Sequence, residues 1–143
     1  MKRNVSKLMM LLIFTIMVAS PAAFATSLNT HLDSISPIKC DQGDNVSATA
    51  QLWTENVVDG LWDNPMNHYD IYFHLYTEDH VEVLEKKVET KHYKGKATAQ
   101  INTENLNPGK YTLLVEFKGY SGLFVDFSPC STNSTLTINP KSV

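Results

Sequence analysis

The chain has 143 residues, with 12 Lys+Arg against 15 Asp+Glu, 43% hydrophobic residues and two Cys. That length suits one domain. Six Gly and six Pro exclude a collagen-like or proline-rich chain, and two Cys are too few for a Cys-only zinc site or a disulfide-dense miniprotein.

Residues 1–25 read as a secretory signal peptide. Lys2, Arg3 and Lys7 form a basic start, and Leu8 to Val18 run without a charge. Pro21 then breaks the helix, and Ala23-Phe24-Ala25 places small residues at the −3 and −1 positions of a cleavage site. A helix needs about 20 apolar residues to cross a bilayer, and this run is shorter. Cleavage after Ala25 is therefore expected, with no membrane insertion afterwards. The leader removes three basic residues and no acidic one, so nine Lys+Arg face 15 Asp+Glu, a net charge of −6. Nucleic-acid binding needs a basic face, so no nucleic-acid partner is expected. The mature product is expected to be secreted, in the extracellular space or at the cell surface.

Export meets oxidising conditions, which predicts a disulfide between Cys40 and Cys130. Two sequons, at Asn45 and Asn133, are candidate glycosylation sites. Asn45 opens a predicted strand, whereas Asn133 reads as part of a loop.

Residues 26–35 form an N-terminal lead-in, and residues 36–140 form the domain. Beyond residue 25 the apolar period is two, not 3.6. In 46–54, Val46, Ala48, Ala50 and Leu52 alternate with polar neighbours. In 69–77, Tyr69, Ile71, Phe73 and Leu75 share one face. Residues 81–94 are predicted as a further strand with Val81, Val83 and Val88 as apolar points; Glu and Lys there favour helix, but strands on both sides favour a meander. Ala97, Ala99 and Ile101 mark 96–103. Tyr111, Leu113, Val115 and Phe117 mark 110–118, and Leu136 and Ile138 mark 132–139. Every mature Pro follows Ser or Asn, and Asp59-Gly60, Lys94-Gly95 and Pro108-Gly109 add turn signals. About seven short strands so punctuated predict an all-β fold, an Ig-like two-sheet antiparallel sandwich. Within it, Leu106-Asn107-Pro108-Gly109-Lys110-Tyr111 has the form of a tyrosine corner, in which the Tyr hydroxyl bonds to the backbone upstream.

Gly43-Asp44-Asn45-Val46-Ser47-Ala48-Thr49-Ala50, the run from Leu106 through Asn107-Pro108-Gly109-Lys110-Tyr111 to Tyr120, and Ser134-Thr135-Leu136-Thr137-Ile138 together resemble the Ig-like repeat domains of archaeal and bacterial adhesin-like surface proteins. The resemblance covers about residues 36–140. It implies a sandwich used for display, adhesion or protein contact, without catalysis.

The chemistry-bearing residues point the same way. His31, His68, His74, His80 and His92 form no HxH or HExxH pattern and read as solvated, so no metal site is expected. The acidic loop Asp41-Gln42-Gly43-Asp44-Asn45 lacks calcium-loop spacing, and Asx turns explain it. No G-x-S-x-G elbow occurs and no catalytic set can be assembled; no cofactor is expected. The candidate binding residues are aromatic. With Ile71, Phe73 and Leu75 inward, Tyr72, His74 and Tyr76 face outward. Trp53 lies opposite Leu52, and Trp62 lies in the 55–68 connection. In the 119–127 loop, Leu123, Phe124 and Phe127 are expected to pack at the sandwich end; otherwise Tyr120 and Phe124 offer a recognition tip. Exposed aromatics stack on sugars or anchor protein partners. The sequence thus points to a secreted, non-catalytic binding or adhesion domain for a protein or a cell-surface glycan. The alternative is a small exported carbohydrate-binding or metal-binding protein.

Overall fold

The computed structural model of the chain describes residues 25–55 and 64–142. The leader up to residue 24, the Asp59-Gly60 turn and Trp62 lie outside the described residues. The described chain contains strands and no helix: β1 (Thr26–Leu28), β2 (Thr30–Leu32), β3 (Ile38–Asp41), β4 (Asn45–Thr54), β5 (Asn64–Pro65), β6 (Asp70–Tyr76), β7 (Glu82–Glu89), β8 (Lys96–Asn102), β9 (Gly109–Phe117), β10 (Tyr120–Ser121), β11 (Val125–Phe127) and β12 (Cys130–Asn139).

Period-two patterning sorts these strands into two layers. One sheet runs β3-β12-β9-β6-β7. The other is built on β4, which pairs with β8 along one stretch and with β2 and β5 near its end. Ala48, Ala50 and Leu52 of β4, with Ala97, Ala99 and Ile101 of β8, are buried. So are Ile71, Phe73 and Leu75 of β6, Tyr111, Leu113, Val115 and Phe117 of β9, and Leu136 and Ile138 of β12; all join one cluster. Ala48 pairs with Ala99 and Ala50 with Ala97. Small side chains on one layer thereby leave room for large ones on the other, which is how facing sheets interdigitate. Burying each Leu, Ile or Phe contributes about 1.5–3 kcal/mol, so the alternation itself specifies the fold.

Two features make the sandwich Ig-like. The Tyr111 hydroxyl donates to the Asn107 carbonyl oxygen at 2.7 Å, completing the tyrosine corner at the start of β9. The chain also changes layer early: β2 pairs antiparallel with β4, whereas β3 pairs parallel with β12 on the opposite sheet. The stretch 26–35 therefore contributes strands to the structure, with Leu32 in the core. A third, small sheet, β1-β11-β10, closes one end.

The parallel pairing overturns the expected disulfide. Cys40 lies opposite Ile138, near the end of β12, while Cys130 begins that strand and lies opposite Phe117. Eight residues of strand separate these positions by about 26 Å, whereas a disulfide needs Cα atoms within about 7 Å. Both thiols are free. Chain ends that return to the same sheet do not thereby meet. Burial pushes the Cys40 thiol pKa up, with Asp44 and Asp41 adding to it, and burial pushes up that of Cys130.

Other expectations shift with the register. Asn133 is not in a loop: it lies within β12 opposite Leu114, inside the 132–139 strand that the alternation predicts and which extends back to Cys130. Residues 82–89 form a strand, but not the middle of a meander, because β8 crosses to the other layer and pairs with β4; Val81 and Val83 are exposed and Leu84 packs on the core. The acidic loop 41–45 is an internally bonded turn. Asp44 Oδ2 accepts from the Asp41 N–H at 3.0 Å, and the buried Thr103 hydroxyl accepts from the Gly43 N–H at 3.0 Å.

Candidate recognition face

Tyr72, His74 and Tyr76 project from the outer face of the five-stranded sheet, opposite the buried Ile71, Phe73 and Leu75. Alternate residues on a strand stand side by side, and here the three rings form a column. The Tyr72 and His74 centroids lie 6.4 Å apart at 15°, and those of His74 and Tyr76 lie 6.1 Å apart at 23°. His74, read from sequence as solvated, is only 7% exposed. The tyrosine rings cover it along the strand, and carboxylates from both neighbouring strands flank it.

Those carboxylates come from positions that the register sets. Glu85 lies opposite His74 on β7, and Glu116 lies opposite Tyr72 on β9. Glu82 lies opposite Tyr76, through a break in pairing between Leu75 and Tyr76. Glu82 Oε1 is 2.5 Å from His74 Nδ1, Glu85 Oε2 is 3.9 Å from the same nitrogen, and Glu116 Oε2 is 3.2 Å from Nε2. Loss of water, then the charges of Glu82, Glu116 and Glu85, raise the pKa of the Tyr76 hydroxyl. At the other end of the column the Lys118 ammonium sits 3.8 Å from the Tyr72 ring centroid, a cation–π contact. Lys87 pairs with Asp70 at 3.4 Å.

Beyond Lys118 the face runs into the sandwich end. Tyr69, Phe117, Tyr120 and Phe127 pack there edge to face, with Tyr69 centroids 5.6–5.8 Å from the other three. Loss of water raises the Tyr69 hydroxyl pKa, with Tyr120 a smaller cause. A groove of about 290 Å³ lies between the column and this cluster, lined by His68, Tyr72, Glu89, Lys118 and Tyr120 among others. Tyr120 is half exposed over it.

The candidate residues therefore divide. Tyr72, His74 and Tyr76 form one surface, and Tyr120 borders it through the groove. Phe124 does not pack at the sandwich end. It is 75% exposed and Leu123 is 80% exposed, because both occupy the turn between β10 and β11; only Phe127 of that expected trio joins the end cluster. The turn is closed by the Gly122 N–H to the Val125 carbonyl at 3.0 Å and by the Ser121 hydroxyl to Asp126 at 2.7 Å. Trp53 lies on the other layer, opposite His31 and Pro65, with its indole N–H on Asp33 at 3.0 Å. That layer's outer face is a polar ladder bonded to itself, Ser47 to Gln100 at 3.0 Å and Thr49 to Thr98 at 2.8 Å. Sequence reasoning missed Glu82, Glu85, Glu116 and Lys118. The alternation of β9 already sends Glu116 outward beside Phe117; Glu82 had no such signal.

No protein-family model matches the chain, and no curated protein does. Solved structures do show similarity. A family 123 glycoside hydrolase from Clostridium perfringens aligns with a TM-score of 0.48 and 11% identity, over 81% of this chain and 28% of that one. The chain thus spans well under half of that hydrolase. A complex of titin M10 with an obscurin-like 1 Ig domain aligns with a TM-score of 0.42 and 5% identity, over 80% and 97%. The major subunit of aggregative adherence fimbriae type I from Escherichia coli aligns with a TM-score of 0.34 and 12% identity, over 80% and 94%. The Ig-like character of this chain lies in its own strand order and its tyrosine corner.

Proposed function

We propose that this chain is an exported, non-catalytic Ig-like recognition domain of the adhesion type, and that its binding surface is the Tyr72–His74–Tyr76 face with the groove beside Tyr120. The partner is a protein or a cell-surface glycan. The single observation that carries this reading is the ring column itself. Tyr72 and Tyr76 are partly exposed and aligned on a rigid central strand, flanked by Glu85, Glu116 and Lys118. Rigid aromatics with polar neighbours present large contact area at little conformational cost. Among the described residues, the outer face of the opposite layer pairs Ser47 with Gln100 and Thr49 with Thr98 and carries no such column of stacked rings. The leader and the acidic mature chain support export and argue against nucleic acid.

The test compares the wild type with Tyr72→Ala/Tyr76→Ala on a glycan array and on a panel of surface proteins. The double variant is expected to keep its cooperative melt and lose capture of whichever probe the wild type binds. Unfolding of the variant, or undiminished capture, counts against this face.

A further inference from the structure

We propose that His74, Glu82 and Glu85 form a binding site for a divalent transition-metal ion of the zinc type, open on its solvent side. The reading does not depend on which macromolecule the face recognises. One ligand atom from each residue lies within 4.8 Å of the other two. A tetrahedral zinc site with bonds of about 2.0–2.1 Å separates its ligand atoms by about 3.4 Å. The Nδ1–Glu82 and Nδ1–Glu85 separations, 2.5 and 3.9 Å, bracket that value. Modest rotation of two carboxylates that are 40% and 53% exposed reaches it.

Three independent features point to a cation. The first is charge. Three carboxylates surround one imidazole, and even an imidazolium offsets only one of them. The basic groups nearby are engaged elsewhere: Lys87 on Asp70, Lys118 on the Tyr72 ring, and Lys86 on the Gln100 carbonyl. The second is His74 itself. Its side chain is more than nine-tenths buried within the cluster, and Nε2 has no hydrogen-bond partner although Glu116 Oε2 lies 3.2 Å away. A metal on Nδ1 requires the ring proton to sit on Nε2. There Glu116 needs only to turn into line to accept it, giving the carboxylate–histidine–metal arrangement that orients metal-bound imidazoles.

The third feature is the backbone. Leu75 pairs with Leu84, but Tyr76 pairs with Glu82, so Val83 is skipped. Strict alternation would put Glu82 on the same face as the core-packed Leu84. The bulge turns it outward onto His74, and bulges re-aim side chains in this way at functional sites. An imidazole nitrogen with two carboxylates suits zinc and its neighbours in the transition series, whereas calcium and magnesium prefer all-oxygen shells. Three protein ligands leave a fourth position for water or for a donor from a bound partner.

The test is calorimetric titration of the metal-free purified chain with ZnCl2 and, separately, CaCl2, alongside thermal melts and the His74 imidazole NMR signals. Expected are one saturable zinc site, a melting temperature raised by several degrees, a shift of the His74 resonances on zinc addition, and no response to calcium. Glu82→Gln/Glu85→Gln, at two partly exposed positions, is expected to fold unchanged and bind zinc at least tenfold more weakly. Glu104→Gln, on a remote turn, is expected to bind as the wild type does. Absence of saturable zinc binding overturns the proposal. So does binding that survives in the double variant or leaves the His74 signals unmoved.

Discussion

Glu82 reaches His74 Nδ1, at 2.5 Å, only because the strand that carries it skips Val83 in pairing with β6. One unpaired residue on an edge strand thus decides which charges surround the buried imidazole. Leu84, opposite Leu75, stays on the core side of that strand whether or not Val83 is skipped, so the choice of core residue on β7 falls on Leu84.

The first expectation concerns that choice. Leu84 packs on the core cluster, while Val83 is 40% exposed. Leu84→Ala is expected to cost about 1–2 kcal/mol and Val83→Ala less than about 0.5 kcal/mol, read from chemical denaturation midpoints. Equal costs, or the reverse order, would place Val83 inside.

The tyrosine corner makes a second prediction. Tyr111→Phe keeps the ring in the core and removes only the hydroxyl bond to the Asn107 carbonyl. A loss of about 1–1.5 kcal/mol is expected, the scale of one neutral hydrogen bond. A neutral result would mean the bond adds nothing to the corner.

Much of this was readable beforehand. The alternation of β4, β6, β8 and β9 named both faces of each strand, since each is long and half buried, and Leu106 to Tyr111 announced the corner. What stayed hidden depends on pairing between distant strands. Cys40 and Cys130 look like partners because both lie near chain ends, but only the parallel register of β3 on β12 shows that Cys40 lies beside the far end of the strand that Cys130 begins. His74 looked solvated because its own strand says nothing of Glu82, Glu85 and Glu116. Leu123 and Phe124 are apolar by type, yet a tight turn holds them away from the core.

The thiols supply a third prediction. A thiol assay on the unfolded, unreduced monomer should find both Cys free, and finding none would restore the intramolecular bridge. The raised pKa values of Cys40, Cys130, Tyr69 and Tyr76 share a sign. Each group holds its proton more tightly when folded, so its contribution is complete below the unfolded value. It is lost as pH rises from that value through the folded one. The melting temperature should therefore fall progressively above about pH 9, where an unfolded thiol begins to ionise, and a flat alkaline profile would contradict these shifts.

Gly95 gives a fourth. It sits at φ 63°, where an added Cβ would lie 2.5 Å from the Leu52 carbonyl oxygen and 2.9 Å from the Met66 nitrogen. Backbone atoms cannot yield as a side-chain tip does. Gly95→Ala is expected to destabilise by about 2–3 kcal/mol, measured by denaturant unfolding, and a neutral substitution would mean β8 enters the sheet differently.

The register at the bulge sets the charges around His74 at the centre of the recognition face, and with them the cation site, and an NMR NOE spectrum of the folded chain tests it most directly. Cross-strand backbone contacts are predicted between Leu75 and Leu84 and between Tyr76 and Glu82, with Val83 unpaired. A contact pairing Tyr76 with Val83 instead would send Glu82 to the core side, remove it from His74 and contradict the account.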